Sequence, residues 1–243
     1  MQGLKPQELQ QNADMTLLFM KNQKKLGGQI HLAAVPPRKN EILRAIEYYE
    51  KILPELSVKV ELNTEPTYEE LNQYDNVILA IGAHNMELPM SVENSNVVSS
   101  WDVLNGEAVS GNCAVLGGGL VGTETAEFLA QKGLKVSIIE MLSQIATGES
   151  ETVMPLIMKD FEEHDVKQYV NTKVKSIENN VIFATNTKDG ADITIEADTI
   201  INALGSKKNL FDDSKLTVPF EYVGDCSGER TADISVAIRS GYQ

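Results

Sequence analysis

Cysteine is scarce: the 243-residue chain holds Cys113 and Cys226 and no Cys-x-x-Cys. A redox dithiol, an iron–sulfur knuckle and a zinc knuckle are therefore not encoded by any local pattern, and no metal ligand is assigned. Histidine is also rare. His31, His84 and His164 stand with no acid or nucleophile at a telling spacing and read as surface or loop residues, so no catalytic residue is assigned either. Positive charge is outnumbered, with 21 Lys and Arg against 35 Asp and Glu, a net charge of -14 and a pI near 4.7. Such a surface repels phosphate backbones, which excludes nucleic acid as a main partner; the basic cluster Lys21–Lys25 is too small to make a binding face. No run of about 18 apolar residues is present to span a membrane. The N-terminus lacks the apolar stretch of a signal peptide. A reducing, cytoplasmic setting and no membrane partner are expected.

What is present suits a soluble α/β protein. Apolar residues make up 42% of the chain, enough for a core, and the length allows one or two domains. Two segments end alike: Tyr74–Gly82 reads YDNVILAIG and Ala197–Gly205 reads ADTIINALG. In each, an Asp precedes a short apolar β-branched run, and Gly82 or Gly205 ends the buried strand in a tight turn. The repetition predicts two related nucleotide-binding units in succession. The second reads as complete. It has a strand at Asn112–Leu116, a glycine loop at Gly117–Gly122, a helix over Thr123–Lys132 stopping at Gly133, and a strand at Lys135–Ile139 closed by Glu140. A helix over Glu151–His164 follows, then three short strands across Gln168–Ile201 with turns at Glu178-Asn179-Asn180 and Lys188-Asp189-Gly190. The first unit has a strand at Thr16–Phe19, a turn into Leu26-Gly27-Gly28-Gln29, a helix over Glu41–Leu53 and a strand at Val58–Leu62. It lacks a strand and glycine loop before Thr16; Gln7–Asp14 reads instead as a polar helix, with Lys5-Pro6 suiting its start. Val98–Gly106, with Trp101, reads as the link between units. Near the end come a strand at Phe220–Gly224, Asp225, and a helix from about Thr231.

The segment VLGGGLVGTETAEF from Val115 to Phe128 contains Gly-x-Gly-x-x-Gly as Gly117, Gly119 and Gly122. The first glycine permits the turn out of the strand, the second lets a pyrophosphate approach the backbone, and the third lets helix pack on strand. The loop, with Gly118, Leu120 and Val121, then offers a diphosphate the free N–H groups of a helix N-terminus. A lone motif of this kind is weak, but here strand, helix, second strand and acid stand in order. Glu140 falls 23 residues after Gly117, close to the roughly 20 expected of the acid that reads a ribose. Its carboxylate accepts from ribose hydroxyls and repels a 2′-phosphate, and Met141, Leu142 and Ser143 supply no compensating cation. NAD(H) is favoured over NADP(H). Glu124, on the residues alone, reads as an acid drawn to the helix dipole near an N-terminus. Pro36-Pro37-Arg38-Lys39 reads as a solvated helix start or as a phosphate contact, and Cys226 as a buried small residue.

These residues resemble a known family: the C-terminal, two-dinucleotide-domain portion of the NADH:flavin oxidoreductases related to 2-enoate reductase and 2,4-dienoyl-CoA reductase, which are old yellow enzyme-like. The resemblance is carried by LGGQIHLAAVPPRKNE at Leu26–Glu41, LNT at Leu62–Thr64, VILAIGA at Val77–Ala83, WDVLNG at Trp101, GGGLVGTETAEFLAQKGLKVSIIEM at Gly117, ALGS at Ala203 and VGDC at Val223–Cys226. It implies two Rossmann-like three-layer α/β domains of the FAD/NAD(P)-binding type. The NAD(H) domain, 106–205, would be inserted in a truncated FAD-type domain made of 1–105 and 206–243. It implies hydride passing from NADH to FAD and onward to a flavin-bearing barrel, supplied by the same or another chain. Gly117, Gly118, Gly119, Leu120, Val121, Gly122, Glu140 and Gly205 would hold NAD(H), with Glu124 beside the nicotinamide. Gly27, Gly28, Gln29 and Gly82 would lie on the FAD side, and Asp225 would bond the ribitol. Three features depart from the pattern. The barrel and cluster cysteines are absent, the first FAD glycine loop is absent, and Met20 or Lys21 stands where the acid for the FAD ribose is expected. The FAD site is expected to be weakened, and a non-catalytic NAD-binding module is the competing reading. A missing strand would expose sheet edges, for which residues 1–14 or a second copy of the chain, as a homo-oligomer, are the expected cover.

Overall fold

Short β-branched runs between turn residues place the strands, and the computed structural model describes residues 16–228 and 234–241. The expected polar helix at Gln7–Asp14 and the start of the C-terminal helix at Thr231 lie outside the described residues. In chain order the elements are β1 (Leu18–Lys21), α1 (Ile30–Ala33), α2 (Leu43–Glu55), β2 (Lys59–Leu62), α3 (Tyr68–Leu71), β3 (Val77–Leu79), β4 (Ala83–Asn85), β5 (Ser91–Glu93), β6 (Val97–Ser99), α4 (Ser100–Leu104), β7 (Asn112–Leu116) and α5 (Leu120–Gln131). There follow β8 (Lys135–Ile139), α6 (Met154–Glu163), β9 (Lys167–Tyr169), β10 (Thr172–Glu178), β11 (Val181–Asn186), β12 (Asp192–Glu196), β13 (Thr199–Asn202), β14 (Ser206–Lys208), β15 (Phe220–Tyr222) and α7 (Ile234–Ser240). Contacts divide the chain into two units. One collects the described residues up to Ala34, Asn40–His84 and those from Ser206 onward; the other is Val35–Lys39 with Asn85–Gly205.

In the first unit β1 runs parallel to β2, Leu18 opposite Lys59 and Lys21 opposite Leu62. The amphipathic α2 connects them and buries Ile46. A second parallel pair joins β3 to β15, Val77 opposite Phe220. Its core is Leu71, Val77 and Leu79, packed by Phe211, Leu216, Val218 and Tyr222. Thr67 opens α3 with a reciprocal capping box to Glu70. Among the described residues these strands stand as separate two-stranded pieces, so each pair presents an edge that still has hydrogen-bonding capacity.

The second unit is built on a five-stranded sheet in the order β6-β13-β7-β8-β9, parallel throughout. Its central strands β7 and β13 are buried on both faces because both faces are covered. One face carries Val115, Ile138 and Ile201 under Ala126, Leu129, Ala130, Ile157 and Phe161. The other carries Ala114, Leu116, Ile139 and Ile200 under Ile177, Ile182 and Ile195, which belong to the sheet β12-β11-β10-β5. Three expectations need correction here. The segment Gln168–Ile201 is divided among five strands, β9 to β13, rather than three: Asn171, at φ 52, parts β9 from β10, and Ala197 and Asp198 part β12 from β13. The supposed link Val98–Gly106 is structured: β6 pairs with β13, and Ser99 accepts from the Asp102 N–H to cap α4. The helix after the glycine loop also starts earlier than Thr123, at Leu120, with Gly119 as its N-cap.

The β10–β11 hairpin turns through Asn179 and Asn180, at φ 52 and 63. Both lie in the left-handed region that a two-residue primed turn requires and that Asn tolerates. The Asn180 carboxamide oxygen also accepts from the Asn96 N–H at 2.7 Å. Substitution to Ala or Gly removes that bond equally, so their difference isolates the backbone cost. Asn180→Ala is expected to be less stable than Asn180→Gly by about 1 kcal/mol, read from urea unfolding; equal midpoints would contradict the turn assignment.

Candidate functional site

The second unit places a glycine loop at the carboxyl ends of β7 and β8, where open α/β sheets bind ligands. Gly117 donates its N–H to the Ile139 carbonyl at 2.9 Å. It sits at φ +100, and a Cβ there would lie 2.6 Å from the Ala203 carbonyl oxygen. A Cβ on Gly122 would fall on the Gly117 carbonyl oxygen, so helix and strand meet with no room for a side chain. Gly119 differs: nothing lies within 4 Å of where its Cβ would be. The backbone is thus compressed at two glycines and open at the third, as a cradle for a bulky anion requires. The leading N–H groups of α5, at Leu120, Val121 and Gly122, have no acceptor within the helix, and the Leu120 and Val121 side chains are partly exposed.

Glu140 closes the loop from the end of β8. Its Oε2 accepts from the Gly118 N–H at 2.6 Å and its Oε1 from the Leu142 N–H at 2.8 Å. Two backbone donors fix the carboxylate, and each oxygen keeps a further lone pair for an incoming hydroxyl. Gly118 is itself constrained, since a Cβ there would lie 2.7 Å from Ile145 Cγ2 and 2.9 Å from Glu140 Cβ. Met141 and Leu142 beyond Glu140 are exposed apolar side chains. Gly205, at φ +116, receives the Met86 N–H on its carbonyl at 3.0 Å.

Glu124 lies beyond the first turn of its helix and is buried. It is the fifth residue of α5, 8% exposed, and its carboxylate pairs with Lys39. Burial pushes its carboxyl above the ordinary range, against the opposing pull of the Lys39 ammonium. Arg38 and Lys39 do not form a free helix start: Arg38 pairs with Glu127 and Asp160. Sequence reading missed Glu127 and Asp160. The available signal was the placement of Glu124 and Glu127 at i, i+3 on one helix face, with two adjacent cations elsewhere in the same unit.

The residues assigned to the flavin side all fall in the first unit. Gly27 lies at φ +99, where a Cβ would press within 2.9 Å of Ile46 Cγ1, and Gly28 at φ +51. Gln29 reaches the Ala83 carbonyl at 3.4 Å beside Gly82, whose carbonyl accepts from the Asn209 N–H at 3.0 Å. Gln29 and Gly82 are thus neighbours, and Asp225 sits in the short helical turn Gly224–Cys226. Lys21 ends β1, and burial lowers its ammonium pKa. Both cysteines are buried, and burial with the nearby Asp198 raises the Cys113 thiol to about 11, which leaves it unreactive. Among the described residues no cluster of His, Cys, Asp and Glu could hold a metal, and no helix is long and apolar enough to cross a membrane.

Residues 19–241 match the family described as pyridine nucleotide-disulphide oxidoreductase. The chain belongs to this family. It is 42% identical over 224 residues to the bilirubin reductase of Mediterraneibacter gnavus, a match covering 89% of the chain and 34% of that protein. It is 30% identical over 244 residues to the NADH oxidase of Thermoanaerobacter brockii, covering 93% of the chain and 36% of that protein. Among solved structures, a 2-naphthoyl-CoA reductase complex superposes with a TM-score of 0.83 at 23% identity, covering 99% of this chain and 38% of that one. The chain therefore spans about a third of the length of these curated relatives, corresponding to the C-terminal part of larger enzymes. The fold is the Rossmann-like FAD/NAD(P)-binding type expected from the sequence.

Members of this oxidoreductase family bind FAD and NAD(P)H, and the two units fit these groups unequally. The second unit fits a nicotinamide dinucleotide: it has the compressed glycine turn, the open face at Gly119 and a fixed carboxylate at Glu140. The first unit fits FAD in part. Gly27, Gly28, Gln29 and Asp225 are present, but Lys21 ends β1 where an acid for the FAD ribose is expected.

Proposed function

We propose that this chain is the NAD(H)-binding portion of a flavin-dependent oxidoreductase in which hydride passes from NADH to FAD. The reading rests on one observation above all: Glu140 is locked by two backbone N–H groups at the mouth of a glycine loop that is open at Gly119. In this reading the second unit is the NAD(H) domain, inserted in an FAD-type domain. The free backbone amides of Leu120, Val121 and Gly122 grip the pyrophosphate. Glu140 accepts from the adenosine ribose hydroxyls and repels a 2′-phosphate. Glu124, held by Lys39, lies one turn further along α5 and orients the nicotinamide end. Bound NADH supplies the hydride; the protein supplies grip, distance and the exclusion of NADP(H). That a relative is named NADH oxidase supports the choice of reduced nucleotide. A flavin-bearing barrel, in the same or a partner chain, completes the electron path. A second copy of the chain covers the strand edges of the first unit; the other expected cover, residues 1–14, lies outside the described residues.

A second reading is favoured by Lys21, which ends β1 where an acid for the FAD ribose is expected: the chain binds NAD and transfers nothing. Calorimetric titration with NADH, combined with an absorbance spectrum after incubation with FAD, separates the two. The expected result is NADH uptake together with a retained flavin band that bleaches on NADH addition. Uptake with no flavin band favours the binding module. No uptake by a well-folded sample overturns both.

A further inference from the structure

Between α1 and α2 the chain forms a short strap, Val35–Lys39, that packs with the second unit. Arg38 within it adopts φ 67, a left-handed conformation that a non-glycine residue keeps only when its surroundings hold it there. Here the holding is ionic. Arg38 Nη1 donates to Asp160 Oδ2 at 2.9 Å, and Nη2 pairs with Glu127 Oε1. Glu127 lies on α5, the glycine-loop helix, and is 1% exposed; Asp160 lies on α6, and its Oδ2 also accepts from Gln131 Nε2 at 2.8 Å. One turn before Glu127, Lys39 grips Glu124. Two adjacent cations of one strap are thus seated on two acids of the helix that carries the glycine loop.

We propose that Arg38, Glu127 and Asp160 form a proton-gated clasp, which holds the strap on α5 tightly when Glu127 is ionised and loosely when Glu127 carries a proton. Protonated Glu127 donates its O–H to the Asp160 carboxylate, so the two helices are joined directly and Arg38 faces a single negative charge. Ionised Glu127 faces Asp160 as a like charge, and the guanidinium between them becomes their bridge. Burial, and next the bond to Asp160, raise the Glu127 carboxyl to about 7, while the same bond and Arg38 hold Asp160 low. Arg38 pulls Glu127 downward, so opening the strap removes that pull and lets Glu127 bind its proton more tightly. By linkage, acid therefore favours the open strap and base the closed one.

The other charged groups around α5 do not replace this switch. Lys39 is engaged by Glu124, Glu149 acts on Glu124, and Asp102 of α4 bonds Ser99. The strands beneath α5 present Val115 and Ile138 to it. The clasp does not depend on nicotinamide binding, so its test stands apart from that reading.

Trypsin cuts after Arg38 and Lys39 only when the strap opens. Cleavage of the folded chain, divided by that of a free peptide of residues 33–43 at the same pH, removes the protease's own pH dependence. The expected ratio is several-fold higher at pH 6 than at pH 8, and in Glu127→Gln it is high and equal at both. Equal ratios in the parent, or a pH dependence that survives in Glu127→Gln, would overturn the clasp. Infrared spectra of the parent labelled with 13C-glutamate give a second reading that needs no variant: a protonated glutamic acid band titrating near neutrality is expected, and its absence also sinks the proposal.

Discussion

Gly122→Val abolishes NADH binding and lowers the stability of the second unit by about 3 kcal/mol, as measured by urea unfolding and calorimetric titration. Two effects oppose each other at this position. Replacing a helical glycine by a residue with a side chain gains up to about 1 kcal/mol of helix propensity. Against it stands the position of the new Cβ, on the Gly117 carbonyl oxygen and 3.2 Å from Ala203 Cβ. The obstacle is backbone that is itself hydrogen-bonded to β8 and cannot swing aside as a flexible side chain would, so the steric term wins. Gly119→Ala supplies the contrast. Its Cβ would meet nothing within 4 Å and its φ is -67, so the unfolding midpoint stays close to that of the parent. The methyl nevertheless occupies the face by which a pyrophosphate approaches, and NADH affinity falls at least about tenfold, a loss of about 1.4 kcal/mol. If Gly119→Ala binds NADH as the parent does, the diphosphate is not held at this loop.

Glu140→Ala weakens NADH binding by about 10- to 100-fold, equivalent to losing one charged hydrogen bond of roughly 1.5–3 kcal/mol. It weakens NADPH binding much less. The carboxylate does two things, and the variant removes both. It receives the Gly118 and Leu142 N–H groups, which shapes the loop, and it offers the remaining lone pairs to ribose hydroxyls. The first loss affects either nucleotide. The second affects NADH alone, because in NADPH a 2′-phosphate meets the carboxylate as a like charge. The parent should therefore prefer NADH strongly, and the variant should discriminate little. Titrations of both nucleotides against both proteins decide it, and equal affinities in the parent would refute the role given to Glu140.

The glycine loop was readable because its requirements are local. A turn at positive φ, a close helix–strand approach and an acid at the next strand end each leave a residue type at a fixed spacing, as Gly117, Gly122 and Glu140 do. The Asn179-Asn180 turn was readable for the same reason. The helix start at Leu120 was not, because Gly119 caps α5 by backbone conformation alone and no Ser, Thr or Asp marks the place. The Ser99 cap of α4 was present in the sequence but was read as part of a linker.

Other features are set by residues far apart in the chain, and no spacing rule reaches them. Arg38 lies 89 residues from Glu127 and 122 from Asp160, so nothing local distinguished a solvated Arg-Lys pair from one seated on buried carboxylates. Burial, which gives Glu124 and Glu127 their shifted proton affinity, belongs to the packed helix pair and not to either residue. The sequence by itself determined the second unit's βαβ order, the place of its glycine loop and the acid beside it, since backbone sterics and strand periodicity act over a few residues. The tertiary structure alone decided which charges meet, which acids lose their water, and that β1–β2 and β3–β15 stand as separate pairs among the described residues, because desolvation and ion pairing depend on distance in space and not on distance along the chain.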